Sequence, residues 1–164
     1  MSGKAYVLLT FLFFSGFFYL SAQSTVEAIF TDKPPVIDGF TNDEVWSGIS
    51  PARDFYQREP NTGEPVSERT EFYFCIDRNN LYIAVRCYSD PENISAREMA
   101  RDVDLSNDDR IQVILDTYND KRSAYWFQIG PRGSIGDALI NENGQAFNKS
   151  WDGLWTYSLY ISIR

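Results

Sequence analysis

The sequence predicts an all-β chain, an antiparallel β-sandwich of jelly-roll type, with a small closed β-barrel as the runner-up. Short runs alternate apolar with polar residues, turn residues punctuate them at regular spacing, and hardly any stretch has a helical period. Residues 26–30 alternate as a strand and stop at Asp32, Lys33, Pro34 and Pro35. Residues 36–39 read as a short extended piece ending in a turn at Gly39. Thr41 or Asn42 is placed to cap one helical turn over residues 43–46, with Asp43 and Glu44 at its positive end. A loop rich in Pro and Gly, residues 59–65, then leads to two strands, residues 72–77 and 81–88. Asp77, Arg78, Asn79 and Asn80 join them as a hairpin.

Setting Ile76 opposite Leu81 puts Cys75 against Tyr82 and Cys87 against Thr70. The two thiols then lie roughly 17 Å apart on opposite faces, so no disulfide is expected between them. Residues 92–102 are polar and read as loop or short helix. Four further strands follow, at residues 110–116, 124–129, 135–140 and 156–163. The alternation is still running at Arg164, which suggests a domain cut short in its C-terminal strand, or the front piece of a longer exported protein.

Residues 1–22 carry one positive charge, Lys4, an apolar run to Leu20, and the small residues Ser21 and Ala22. That is the layout of a cleaved secretory signal; the alternative is a membrane anchor, disfavoured because the chain turns polar at once. One domain, residues 23–164, is expected beyond it, in the periplasm, at the outer membrane or outside the cell. The 164 residues carry a net charge of -8, with an isoelectric point of about 4.5 and no His. Such a chain has no basic excess to displace counterions from phosphates, so nucleic acid is not an expected partner. Without imidazole it can build neither a Ser-His-Asp hydrolase nor a His-ligated metal or haem site.

Trp46 is expected in the core beside the helical turn. In residues 124–129, Tyr125, Phe127 and Ile129 face one way and Trp126 and Gln128 the other. If the odd positions face the core, Trp126 and Gln128 reach an outer or concave face where a ligand could touch them. Trp151 is set among Asn148, Lys149, Ser150 and Asp152, a polar setting that suits an exposed aromatic wall, whereas Trp155 opens a strand and is expected to be buried. Asp102, Asp104, Ser106 and Asp108 alternate like calcium-loop oxygens, but Asn107 replaces the turn glycine and Val113 the bidentate glutamate of an EF-hand. A solvated acidic loop is the expectation there. Asp108 with Asp116, or Asp137 with Glu142, would be the carboxylate pairs of a glycosidase, yet none sits in a recognisable apolar pocket, and no enzyme is expected.

The string Asp38-Gly39-Phe40-Thr41-Asn42-Asp43-Glu44-Val45-Trp46 resembles the opening of carbohydrate-binding module family 9-like domains. The likeness continues in order through Thr70-Glu71-Phe72, the turn from Asp77 to Tyr82, Asn107-Asp108-Asp109-Arg110 with the strand to Asp116, and Asn148-Lys149-Ser150-Trp151. Arg53-Asp54-Phe55, Gln57, Pro60 and Gly63, then Leu115-Asp116-Thr117-Tyr118, Asp120 and Arg122, and Pro131-Arg132-Gly133, resemble an exported bacterial subgroup. In that subgroup the domain precedes a large C-terminal region read as a membrane β-barrel. The resemblance implies a non-catalytic sandwich that binds carbohydrate in polysaccharide use, with no cofactor, although structural calcium occurs in the family.

In the family a sugar ring lies between two Trp side chains. Asn148 and Trp151 match its Asn-x-x-Trp, so Trp151 would stack on the ring while Asn148, Gln112, Gln128 and Arg132 bond hydroxyls and Trp126 lies beside Gln128. Ser106 and Gln112 stand where the family has a second Trp and a Glu. One aromatic face burying about 100 Å² contributes about 2.5 kcal/mol, against about 4 kcal/mol for millimolar binding. Weak binding is therefore expected, unless Tyr118, Tyr125 or Trp155 supplies another wall. The alternative function is a structural or docking domain of an outer-membrane protein that has lost sugar binding.

Overall fold

A computed structural model describes residues 25–162. The expected leader, residues 1–22, lies outside the described residues. Among the described residues the chain is all-β, with seven strands in two sheets and a single four-residue α-helix. Strands β1 (Ile29–Phe30), β2 (Thr70–Ile76) and β3 (Leu81–Cys87) form the first sheet in that order. Strands β4 (Ile111–Leu115), β5 (Ala124–Ile129), β6 (Ile135–Asn141) and β7 (Ala146–Asn148) form the second as an antiparallel meander. The two sheets make a sandwich-like pair and, among the described residues, share no strand that would close a barrel.

The hairpin has the expected register, Ile76 opposite Leu81, Cys75 opposite Tyr82 and Thr70 opposite Cys87, and both thiols are free. Asp77 fixes its turn by accepting from the backbone N–H groups of Asn79 and Asn80, both at 2.7 Å. The antiparallel expectation fails at β1, which runs parallel to β2. Its chain reaches β2 through a long connection, so no hairpin dictates its direction. Helix α1 (Glu44–Ser47) starts after Asp43, which takes the N-cap position expected for Thr41 or Asn42.

Residues 156–162 do not form the expected strand; among the described residues their backbone has no ladder partner. This segment is tied down by side chains and close packing instead: the Tyr157 hydroxyl donates to the Gly133 carbonyl at 3.0 Å, and the Tyr160 ring lies 4.3 Å from Phe40. Strand β7, in contrast, was not expected.

Most of the well-buried apolar residues lie on the outer faces of the sheets. Trp46 and Ile49 pack on Tyr73 and Cys75 of the first sheet, which places Trp46 in the core as expected, at the border of the space between the sheets. Leu105, from the loop before β4, is buried with Trp126 and Ala138 of the second sheet. Between the sheets runs a slot of about 730 Å³, lined by β3 and its turn, by β4 and β5, by residues 154–158, and by Val36, Ile37, Gly39, Phe40, Thr41 and Trp46. No helix among the described residues is long and apolar enough to cross a membrane.

Candidate functional site

Strand β5 distributes the candidate residues between two faces. Gln112 pairs with Gln128 and Trp126 with Ala138, so Gln112, Trp126 and Gln128 share the outer face of the second sheet. Trp126 is 7% exposed, with its ring 4.9 Å from that of Phe147. Gln128 is 4% exposed and donates its Nε2 to the Val103 carbonyl at 3.2 Å. The expectation that Trp126 and Gln128 reach an open surface is therefore corrected. The loop before β4 folds over this face, leaving the odd residues Tyr125, Phe127 and Ile129 half-buried on the other, the last two beside the slot. Periodicity shows that two faces differ, not which of them a loop will cover. Gln112 is exposed on the outer face, and Arg132, exposed in the turn between β5 and β6, donates to the Arg97 carbonyl at 3.2 Å.

Trp151 lies on the opposite, inner face. Half-buried, its ring lies 5.0 Å from that of Tyr125 at 40° and 6.0 Å from that of Phe127 at 71°. The ladders Tyr125 to Leu139 and Leu139 to Asn148 put Asn148 on the same face, exposed at the edge. Its Oδ1 accepts from the Ser150 N–H at 3.0 Å, shaping the turn that delivers Trp151. Trp151 and Asn148 are thus brought together, and Gln112 and Gln128 are separated from them by the thickness of the sheet. A sugar stacked on Trp151 could not reach either glutamine.

One buried carboxylate explains why the chain turns here. Asp137 occupies an inward position of β6 and is 1% exposed. A charge buried that deeply requires donors on both oxygens. Its Oδ1 accepts from Arg101 Nη2 at 2.8 Å, and its Oδ2 from the Gly153 N–H at 3.0 Å and Trp155 Nε1 at 2.8 Å. Arg101 Nη2 also donates to Asp152 Oδ1 at 2.8 Å. The Trp155 ring, 5.3 Å from Phe127, completes the anchor; it is half-buried, as its expected burial required in part, but belongs to no strand. Residues 151–155 are thereby pinned across the inner face.

The Trp151 indole packs on Tyr125 and lies against Gly153; Asn148 shares its sheet face, and Asp152, next in the chain, pairs with Arg101. Tyr125, of the three side chains named as a replacement wall, touches Trp151; Tyr118 is exposed in the turn after β4. Sequence reasoning missed Arg101, Asp152 and the anchoring role of Asp137. The available signal was an acid in phase with Ile135 and Leu139 on one strand face.

The acidic loop is less solvated than expected. Asp108 is 9% exposed, and its Oδ2 accepts from the Arg97 and Glu98 N–H groups at 2.6 and 2.8 Å. Those donors hold its carboxyl below the ordinary carboxylate range. Asp104 is lowered likewise by the Ser106 N–H and hydroxyl, at 2.9 and 3.0 Å. Among the described residues no three Cys, Asp or Glu side chains converge as metal ligands.

The patch offers a flat aromatic surface with an amide, a carboxylate and a guanidinium at its edge, a set suited to an uncharged polyhydroxylated ring. No protein-family model, curated protein or solved structure matches the chain.

Proposed function

We propose that this protein binds carbohydrate without catalysing a reaction, as an exported domain of the family 9-like type within a larger envelope protein engaged in polysaccharide use. The observation that carries this reading is the half-exposed Trp151 indole, backed by Tyr125, with Asn148 exposed on the same sheet face and Asp152 the next residue in the chain. A pyranose places its apolar face on the indole, while Asn148 donates and accepts at the hydroxyls and Asp152 accepts from them. Arg101 holds Asp152 in place and adds a donor at the rim. Gln112, Gln128, Trp126 and Arg132 take no part in this site.

The aromatic face contributes about 2.5 kcal/mol for about 100 Å² covered, which with two or three hydroxyl bonds gives millimolar to high-micromolar affinity. Calorimetric titration of the chain against a panel of plant and bacterial oligosaccharides tests this. A response to at least one glycan is expected, weakened tenfold or more by Trp151→Ala and unaffected by Gln112→Ala on the opposite face. A folded protein that responds to no glycan, or that binds one equally well as Trp151→Ala, would overturn the reading.

A further inference from the structure

The slot between the sheets is bounded on one side by a strand edge with nothing attached. Strand β3 ends the first sheet, and among the described residues its outer edge makes no backbone hydrogen bond. The parity of that edge follows from its neighbours: the Asp77 N–H donates to the Asn80 carbonyl and the Tyr88 N–H to the Arg69 carbonyl. Even-numbered residues of β3 therefore turn their backbone groups toward β2, and Leu81, Ile83 and Val85 turn theirs into the slot. The floor is Ile111, Val113 and Leu115 of β4, spaced every second residue along one sheet face.

We propose that this slot is a strand-acceptor site: an extended, uncharged polypeptide segment with apolar side chains at alternate positions pairs with the open edge of β3 and seats those side chains on β4. The inference is independent of sugar binding at Trp151. Three observations choose this occupant. An acyl chain or other apolar small molecule in the slot would cut water off from the amides and carbonyls at three successive outward positions without pairing them, whereas a peptide backbone pairs them. The period-two floor matches the side-chain period of a strand. No charged side chain lines the slot, in a chain of net charge -8 with 15 basic and 23 acidic residues, so its surroundings match an uncharged segment. Natural edges are normally blunted by Lys, Pro or a bulge, and residues 81–85 contain none of these. A second copy of the chain would bring a whole sheet of the same net charge into a slot whose far side is already held by residues 154–158.

Hydrogen exchange followed by NMR reads the proposal directly. The probes are three capped heptapeptides, Ser-X-Thr-X-Thr-X-Ser with X as Val, Leu or Tyr, and a control with Lys at the central X. At least one uncharged peptide is expected to slow exchange at the Leu81, Ile83 and Val85 amides tenfold or more, leaving Tyr82 and Ala84 unchanged. The Lys control, the edge-charged variant Leu81→Lys, and Ile83→Pro, which removes only an outward N–H, should each lose that protection. Three peptides that leave those amides unprotected at millimolar concentration would overturn the proposal, as would equal protection in both variants. Sedimentation on the same samples decides the other occupant. A concentration-dependent dimer that protects these amides without peptide assigns the slot to a second copy and also overturns it.

Discussion

Glu71 shows how a single side chain can tie the first sheet together. Its side chain is almost fully buried, yet it accepts from Arg69, from the Tyr73 hydroxyl at 2.8 Å and from the Tyr88 hydroxyl at 2.9 Å. The Arg69 bond, then the Tyr73 bond, hold its pKa at about 2, against an ordinary value of 4.5. A folded-state pKa below the unfolded one means the carboxylate stabilises the fold above about pH 4.5, and that contribution drains away as pH falls toward 2. Urea melts across this window should show the stability gap between wild type and Glu71→Gln closing on acidification, with the variant less stable at pH 7. A gap independent of pH would contradict the bonding scheme. Among the candidate site residues, Asn148 is exposed as its polar local surroundings imply, while Trp151, expected as an open wall, is half-buried on Tyr125 and Phe127. Gln128 was not legible, because its partner, the Val103 carbonyl, comes from a loop whose path no periodicity encodes.

The register of the β2–β3 hairpin was legible to the residue, since its turn residues and alternation agree, although β2 begins at Thr70, two residues before the expected start. Strand β7 was not, because three residues carry no measurable period and exist as a strand only through pairing with Leu139 to Asn141. The alternation of residues 156–162 misled for the converse reason: period two states a preference, and without a ladder partner it is not a strand. What secures this segment is close packing at Gly39, where φ is +90° and a Cβ would stand 2.7 Å from the Leu159 carbonyl carbon. Gly63 has nearly the same φ, +87°, with nothing within 4 Å of the same point. Gly63→Ala should cost only the backbone strain, about 1 kcal/mol, and Gly39→Ala about 1–3 kcal/mol more, by denaturant midpoint. Equal losses would mean that Leu159 does not rest on Gly39.

A sandwich of two sheets with hardly any helix was readable from pattern and turns; which strands share a sheet was not. Nor was the distribution of burial. Burial is concentrated on the outer faces, under α1 and the loop before β4, while the space between the sheets stays partly open. Sequence pattern marks a face as apolar without saying what lies over it, so the candidate residues were assigned to one site although they divide between two faces. The proposed sugar recognition then depends on a single inner-edge patch around Trp151. A ¹⁵N correlation spectrum of the labelled protein, with a glycan identified by calorimetry, addresses that patch atom by atom. Shifts are expected at the Trp151 indole, the Asn148 amide and the backbone of Tyr125 and Asp152, with Gln112 and Gln128 silent; shifts centred on Gln112 and the outer face, or none near Trp151, would contradict it.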